Sequence, residues 1–271
     1  MNLTTPPLEG FAHAYGIELL YPERPVLNQA ALVEIVSGRR SDIRLFDGDM
    51  QGGLVAFLYA GQPPDEIRGE CLIAPGDPAD ALELDEPALE QSWRWPDARA
   101  AVAECQASVL VTDLLGTGLP HRERLALFQE VLDALLELAP CTAIYWRPAG
   151  HYVEPAAWQH AMQAGGVGQP LPGAINMRHY RIAGTEDTVI DTLGLAALGL
   201  RDLQCRFRHT EPEAIMQLLS GAAITVFEHG LVIADGQKVK GPRYRDQWRY
   251  RYAQSLVPPQ RPVIMLDPGE G

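Results

Sequence analysis

Residues 187–207 read DTVIDTLGLAALGLRDLQCRF, and this stretch decides how the chain is interpreted. Asp191 and Thr192 precede two glycines among apolar residues, which suits a catalytic loop, a phosphate-binding loop or a turn between strands. A P-loop requires Lys and then Ser or Thr directly after its last glycine, but Leu and Arg follow Gly199. An aspartic protease requires two Asp-Thr-Gly segments, and the chain has one Asp-Thr-Leu-Gly. The stretch therefore predicts tight turns and core packing.

The composition predicts a folded protein outside the membrane. The chain has 271 residues, of which 46% are hydrophobic, so it can bury a full core in one large domain or two smaller ones. No segment approaches the ~18 apolar residues that a membrane span requires. Residues 1–16 have neither the basic start nor the apolar core of a signal peptide. We therefore expect a cytoplasmic protein without a membrane partner.

The sequence contains no motif for catalysis or metal binding. The four cysteines stand singly, without CxxC or Cys/His spacing, which predicts reduced, buried thiols. The histidines form no HExxH or similar pair, and no serine lies in a Gly-x-Ser-x-Gly elbow. We therefore expect no catalytic residue, no metal site and no cofactor. The alternative is a hydrolase or nucleotide-handling enzyme whose site is assembled from scattered residues such as Asp113, His151 and Asp191.

The net charge of −13 is unevenly distributed along the chain. Residues 1–184 contain 24 acidic residues and 12 Lys or Arg, whereas residues 185–271 contain 11 and 10. Within the first part, residues 65–90 contain nine acidic residues and Arg68 as the single basic one. Such a surface repels nucleic acid and attracts a basic protein. The alternative is that the acidity only maintains solubility.

Acidic and aromatic residues between positions 77 and 95 form the predicted partner-binding surface. Trp93 and Trp95 flank Arg94, and Trp and Arg commonly anchor protein interfaces. The alternative for the tryptophan pair is packing against the core at the start of a helix. The predicted partner-binding residues are Asp77, Asp80, Glu83, Asp85, Glu86, Glu90, Trp93 and Trp95.

The pattern of strands and helices predicts an α+β fold, with a mixed but mainly antiparallel sheet and helices packed on it. Strand-like segments within residues 42–46, 52–60 and 66–75 are separated by turn residues, which favours antiparallel pairing. Pro96 and Pro120 are each expected to open a helix, the second with apolar residues at three- and four-residue spacing.

A domain boundary is expected at Gly184, where the charge balance changes. It separates an N-terminal α+β domain, residues 1–184, from a smaller C-terminal α+β domain, residues 185–271, packed closely on the first. Within the second domain, the adjacent Asp235 and Gly236 predict a hairpin between two strands.

Residues 243–252 interleave basic and aromatic side chains, a composition typical of single-stranded nucleic-acid platforms. Strand alternation instead places Trp248, Tyr250 and Tyr252 on one face, and Arg249 and Arg251 on the other. Because the rest of the chain is so acidic, we interpret this segment as an edge strand with a solvated basic face. We expect no nucleic-acid ligand.

Three segments near the C-terminus resemble an uncharacterised bacterial domain family in which they recur in this order. They read DTLGLAALGLRDLQC at 191–205, GLVIADGQKVKG at 230–241 and SLVPPQRPVIMLD at 255–267. SWRWPDARAAVAECQASVLVTD at 92–113 and AIYWRPAGHYVEP at 143–155 also look similar, so the resemblance covers most of the chain. Members of this family lie near type VI secretion and related toxin-delivery loci.

The resemblance implies an immunity protein that binds and neutralises a delivered type VI secretion effector. It carries over no catalytic residue, because none is established for the family. Toxins that act in the cytoplasm include nucleases, whose substrate clefts are usually basic. An acidic inhibitor suits such a cleft by electrostatic complementarity, which raises the association rate and the specificity. The expected partner is therefore a basic bacterial toxin.

Overall fold

The computed structural model describes residues 14–41, 43–45, 55–60, 67–76, 82–114, 119–164, 171–243 and 246–269. Tertiary contacts divide the chain into two compact units, one within residues 12–173 and one within residues 174–271. Each unit contains a β-sheet accompanied by helices, and the predicted α+β class is confirmed.

The first unit has a sheet whose neighbouring strands are all antiparallel among the described residues. The antiparallel pairing predicted for residues 42–75 is thereby confirmed. In spatial order, the strands are β2 (Ile43–Leu45), β3 (Val55–Ala60), β4 (Ile67–Pro75), β5 (Ala107–Leu114), β1 (Ala14–Tyr21), β6 (Ala143–Trp146) and β7 (His151–Val153).

Helices of the first unit connect these strands. Apolar spacing predicts the buried side of the longest one, where Leu125, Phe128, Leu132 and Leu135 are all fully buried. The described helices are α1 (Gln29–Arg39), α2 (Glu86–Glu90), α3 (Ala98–Ala103), α4 (His121–Leu138) and α5 (Pro155–Ala164).

The prediction that Pro96 opens a helix is wrong. The Ala98 N–H donates to the Trp95 carbonyl at 3.0 Å, so the residues between them form a turn, and α3 begins at Ala98. Asp97 occupies the N-cap position of α3 without a side-chain capping bond. Pro120, in contrast, directly precedes α4 as expected.

The second unit has a mixed sheet in which β10 and β13 are parallel and the other neighbours antiparallel. Helix α6 (Pro212–His229) packs on β9 and β10 through residues such as Ile215 and Leu219, which are fully buried. In spatial order, the strands are β11 (Lys238–Lys240), β12 (Gln247–Gln254), β13 (Pro262–Asp267), β10 (Asp202–Phe207), β9 (Thr188–Leu193) and β8 (Asn176–Arg181).

Gly184, at the boundary expected from the sequence, lies in the turn of the β8–β9 hairpin with φ +73°. The tertiary contacts separate the units between Gly173 and Ala174, so that β8 belongs with the second sheet. The change in charge balance at Gly184 therefore falls inside the β8–β9 hairpin. The division between the two units lies before β8.

Residues 187–207, which read as a loop or a turn from the sequence, form β9, a 3₁₀ turn at Leu195–Leu198, and β10. Gly194 has φ +136°, and a Cβ atom there would lie 2.0 Å from the Ala174 carbonyl oxygen. Only glycine fits this position, because both the backbone conformation and the available space exclude a side chain. This explains one of the two glycines by architecture.

Two local predictions in the second unit are wrong. The turn at Asp235 and Gly236 is followed by β11, but α6 continues to His229, and residues 230–234, between α6 and the turn, form no strand, so the predicted hairpin is absent. Strand β12 is not an edge strand, because β11 pairs with its outer side. Among the described residues, no helix is long and apolar enough to cross a membrane.

Candidate functional site

The predicted partner-binding residues lie on and around α2 in the first unit, apart from Asp77 and Asp80, which lie outside the described residues. Glu83, Glu86 and Glu90 are exposed, and we call these three the α2 acidic surface. Their exposure satisfies the first requirement of a surface that attracts a partner by its charge.

Asp85, between them, has a structural role. Its Oδ1 accepts the Ala88 N–H at 3.0 Å and thereby caps α2. Its Oδ2 accepts a hydrogen bond from the Tyr145 hydroxyl, while its backbone N–H donates to the Tyr152 hydroxyl at 3.1 Å. The rings of these two tyrosines stack with 4.6 Å between their centroids. Asp85 therefore fixes the start of α2 on the sheet, which a partner-contact role does not require.

Glu86 is paired within the unit. Its two carboxylate oxygens accept from Arg99 at 3.0 and 2.5 Å, and this fork lowers the pKa of Glu86. Both side chains are more than half exposed, so the pair holds α2 beside α3 but contributes little to stability. The acidic field of Glu86 is partly neutralised by its partner.

The two tryptophans have different environments. Trp95 is partly buried and packs against a core cluster that includes Leu89 and Val102. For Trp95, the structure therefore agrees with the alternative prediction that the tryptophans pack against the core. The Trp93 side chain is 43% exposed, and the Arg94 guanidinium carbon lies 5.2 Å from its ring centroid. Trp93 is therefore the residue of this pair that can contact a partner.

A second cluster of polar residues lies in the sheet of the second unit, centred on Asp191. Arg178 of β8 donates from Nε to Asp191 Oδ1 at 2.9 Å and from Nη2 to Oδ2 at 2.5 Å. Arg261, just before β13, donates from Nη2 to the same Oδ2 at 2.6 Å. One fully buried carboxylate thus binds two buried guanidinium groups.

Arg261 continues the cluster to Asp202 at the start of β10, whose Oδ2 it reaches at 2.8 Å. Asp202 Oδ1 accepts from the Thr192 hydroxyl at 3.0 Å and from the Leu195 N–H at 3.1 Å. The Thr192 hydroxyl in turn accepts the Leu203 N–H at 2.8 Å. We call Arg178, Asp191, Thr192, Asp202 and Arg261 the Asp191 network.

The charges of the Asp191 network balance, with two arginines and two aspartates. Burial raises the pKa of Asp202, and the charge of Arg261 opposes that effect. Buried charges of this kind require partners and hydrogen bonds to be tolerated, and here the carboxylates face arginines of their own unit. The network connects β8, β9 and β10. This arrangement fits a structural role better than a catalytic one.

The residues of the alternative enzyme site have other partners. Asp113 of β5 pairs with Arg124 of α4, and both side chains are fully buried. His151 of β7 lies 2.8 Å from the Gly173 carbonyl oxygen, so its Nε2 carries the proton and donates. Burial lowers the pKa of His151 to about 4. Asp191 belongs to the second unit and to its own network.

A groove of about 400 Å³ lies between α4 and α5. Trp158 and Met162 contribute apolar surface to it, and Glu130 and Asp133 contribute carboxylates. Arg39 of α1 reaches Asp133 at 2.7 Å and lies 3.9 Å from Glu130. These carboxylates therefore already have a cation of the same unit beside them. No group of three potential metal ligands occurs among the described residues.

Sequence reasoning identified Asp191 and Thr192 but missed their partners. Arg178 and Arg261 stand 13 and 70 positions from Asp191. A strand pattern does not show which strands become neighbours, so it cannot pair these charges. The one available signal was Asp191 itself, which interrupts the apolar strand segment TVIDTL at 188–193, where an unpaired charge is costly and a cationic partner is therefore expected.

One family model matches the chain, over residues 191–267, and it describes a domain of unknown function (DUF4261). The three C-terminal segments that carried the resemblance lie within this range, whereas 92–113 and 143–155 lie outside it. The match makes no connection with type VI secretion or with immunity. No curated protein and no solved structure matches the chain.

Proposed function

We propose that the protein is a non-catalytic immunity protein that binds and neutralises a cognate type VI secretion toxin. The observation that carries the proposal is the exposed Trp93, 43% accessible with Arg94 beside its ring, in the same segment as the α2 acidic surface. An exposed tryptophan loses contact with water when a partner covers it, which makes it a favourable anchor.

The acidic residues complement this anchor. Exposed charges at the rim of an interface contribute little affinity individually, but their summed field guides a basic partner and accelerates association. Glu83 and Glu90 carry this role in the proposal, because Glu86 already shares its charge with Arg99 and Asp85 caps α2. A basic toxin, such as a cytoplasmic nuclease, is the partner class that this charge favours.

The proposal that the protein is not an enzyme is supported by the contacts of the three candidate catalytic residues. Asp113, His151 and Asp191 each hold a hydrogen bond or ion pair that stabilises the fold. A general base or nucleophile needs instead to reach a substrate. A screen of the purified protein with esterase, phosphatase and nuclease substrates tests this part, and turnover lost on changing one of these residues would contradict it.

The direct test is co-purification with the product of the neighbouring gene, followed by a growth-protection assay in cells that express this product. We expect Trp93→Ala to weaken binding and protection while the melting temperature stays unchanged. Val232→Ala is the matched control, because Val232 is an exposed apolar residue of the other unit, and it should protect fully. Full protection by Trp93→Ala, or the lack of any complex with wild type, would overturn the proposal.

A further inference from the structure

The chain has only two lysines, and both lie on β11 at the edge of the second sheet. Lys238 and Lys240 are exposed and point to the same face of the strand, because side chains two positions apart share a face. In a chain with a net charge of −13, this placement concentrates positive charge at one sheet edge.

Strand β12 extends this basic face. Lys238 stands opposite Arg249, so the two side chains lie on one side of the sheet together with Arg251. Both arginines are exposed, whereas Trp248 and Tyr250 on the other side are buried. We call Lys238, Lys240, Arg249 and Arg251 the β11–β12 basic face.

A single carboxylate offsets these four cations within β11–β13. Asp267 of β13 stands opposite Arg249 and lies 3.9 Å from the Arg251 Nε, with both side chains about half exposed. The face therefore keeps an excess of positive charge. A partner that supplies carboxylates would complement it.

The backbone of β11 also has hydrogen-bonding capacity on its outer side. The Tyr250 N–H donates to the Gln237 carbonyl at 2.9 Å, and the Gly241 N–H to the Asp246 carbonyl at 3.4 Å. Antiparallel strands alternate bonded and non-bonded positions, so the N–H and C=O groups of Lys238 and Lys240 point away from β12. In the sheet of the described residues, β11 is the last strand on this side.

We propose that this edge binds an extended acidic segment of a partner protein, which adds to β11 as a further strand. Alternate residues of the added strand would lie beside the β11–β12 basic face and would be Glu or Asp. The intervening residues would lie on the side of Val239 and Trp248 and would be apolar. The proposal concerns the second unit and is independent of the toxin partner proposed above.

The chemistry of the edge favours a peptide over other anionic partners. Nucleic acid has no backbone groups that continue a β-ladder, and single strands bind by stacking on exposed rings. Here Trp248 and Tyr250 are buried on the opposite face. Tyr252, the exposed ring of β12, already has the Arg201 guanidinium carbon 4.5 Å from its ring centroid and donates its hydroxyl to the Ile233 carbonyl at 2.8 Å. Lysines on a short edge strand also repel the same edge of a second copy, which selects against self-pairing while leaving an acidic strand favoured.

The test uses the full chain and a fluorescein-labelled peptide of alternating valine and glutamate, followed by fluorescence anisotropy. We expect binding at ~0.05 M salt that weakens roughly tenfold or more at ~0.5 M salt. The double variant Lys238→Glu/Lys240→Glu should lose binding, and Lys238→Gln/Lys240→Gln should weaken it. The control Arg24→Glu/Arg181→Glu makes the same change in net charge at an exposed residue of the first unit and at one of β8, the strand at the other edge of the second sheet, and should bind as wild type does.

Two further peptides, one N-methylated at the glutamates and the other at the valines, separate strand addition from simple charge attraction. Both keep the glutamate charges, but one of the two lacks the N–H groups that face β11, so the binding of that peptide should be lost. Equal binding of all three peptides, equal losses in the test and control variants, or no binding of the first peptide would each overturn the proposal. Tighter binding of oligothymidylate than of the peptide would also overturn it in favour of nucleic acid.

Discussion

Arg261 Nη2 lies 2.6 Å from Asp191 Oδ2, although the two residues are 70 positions apart in the chain. Asp191 is the first residue of the range that matches the domain of unknown function, and Arg261 lies in its last segment. The pair therefore joins the beginning of this range to its end, inside the sheet. We infer that the Asp-Thr motif marks the architecture of the second unit.

Asp191→Ala should strongly destabilise the protein. The substitution leaves Arg178 and Arg261 buried without the carboxylate that both contact, and breaking such a pair typically costs about 3–5 kcal/mol. The free energy of unfolding from urea titration measures the effect. Asp97→Ala is the control, because Asp97 is exposed and makes no side-chain capping bond, so its change should stay within about 0.5 kcal/mol. An Asp191→Ala variant with wild-type stability but no protection against a toxin would contradict the architectural role.

Thr192→Ala should destabilise through a lost hydroxyl. That group donates to Asp202 and accepts from the Leu203 N–H, and both partners would remain buried without it. A loss of about 1–3 kcal/mol is expected because the Leu203 N–H loses its acceptor, whereas Asp202 keeps the Leu195 N–H and Arg261. Thr192→Ser retains the hydroxyl and should recover most of this loss in the same urea titration. Equal destabilisation by both variants would assign the effect to the methyl group and contradict the prediction.

The sequence predicted the local elements of the second unit better than its assembly. Alternation along residues 247–252 separated buried Trp248 from exposed Arg249, because a strand has a fixed two-residue period. Tyr252, assigned to the same face as Trp248, is nevertheless 39% exposed. The same pattern placed this strand at the edge of the sheet, which is wrong, since a strand does not encode its neighbours. The strand predicted after the turn at Asp235 and Gly236 exists as the three-residue β11, but it pairs with β12 and not with a strand before the turn.

In the first unit, the sequence identified the segment of the candidate site but did not distinguish the roles of its residues. Asp85 and Glu86 are adjacent acidic residues, yet one caps a helix and contacts two tyrosines while the other binds Arg99. Tyr145 and Tyr152 come from β6 and β7, far along the chain from Asp85. Composition gives the charge of a surface, whereas the role of each carboxylate depends on such distant contacts.

His151 should make stability depend on pH. Burial lowers its pKa from 6.5 to about 4, so on acidification the unfolded chain takes up a proton at this residue before the folded protein does. The stability that neutral His151 provides is fully present above pH 6.5 and is lost progressively as the pH falls towards 4. Relative to His151→Gln, wild type should lose at most about 3 kcal/mol across this range. Urea unfolding of both proteins at pH 7 and pH 4.5 checks this, and a difference that does not change with pH would contradict it.

Reversal of the α2 acidic surface should mainly slow the association with the toxin. Glu83→Lys, Glu86→Lys and Glu90→Lys together change the local charge by +6, and all three residues are exposed, so the fold should be retained. At ~0.15 M salt the field decays over ~8 Å, so these charges act only if they lie at or near the contact. Association rates against the cognate toxin at low and high salt should therefore fall most at low salt and depend less on salt than in wild type.

The control Glu186→Lys, Glu211→Lys and Glu213→Lys makes the same charge change at exposed residues of the second unit. A rate unchanged by the first triple reversal at both salts, or slowed equally by the control, would leave solubility as the explanation for the acidity.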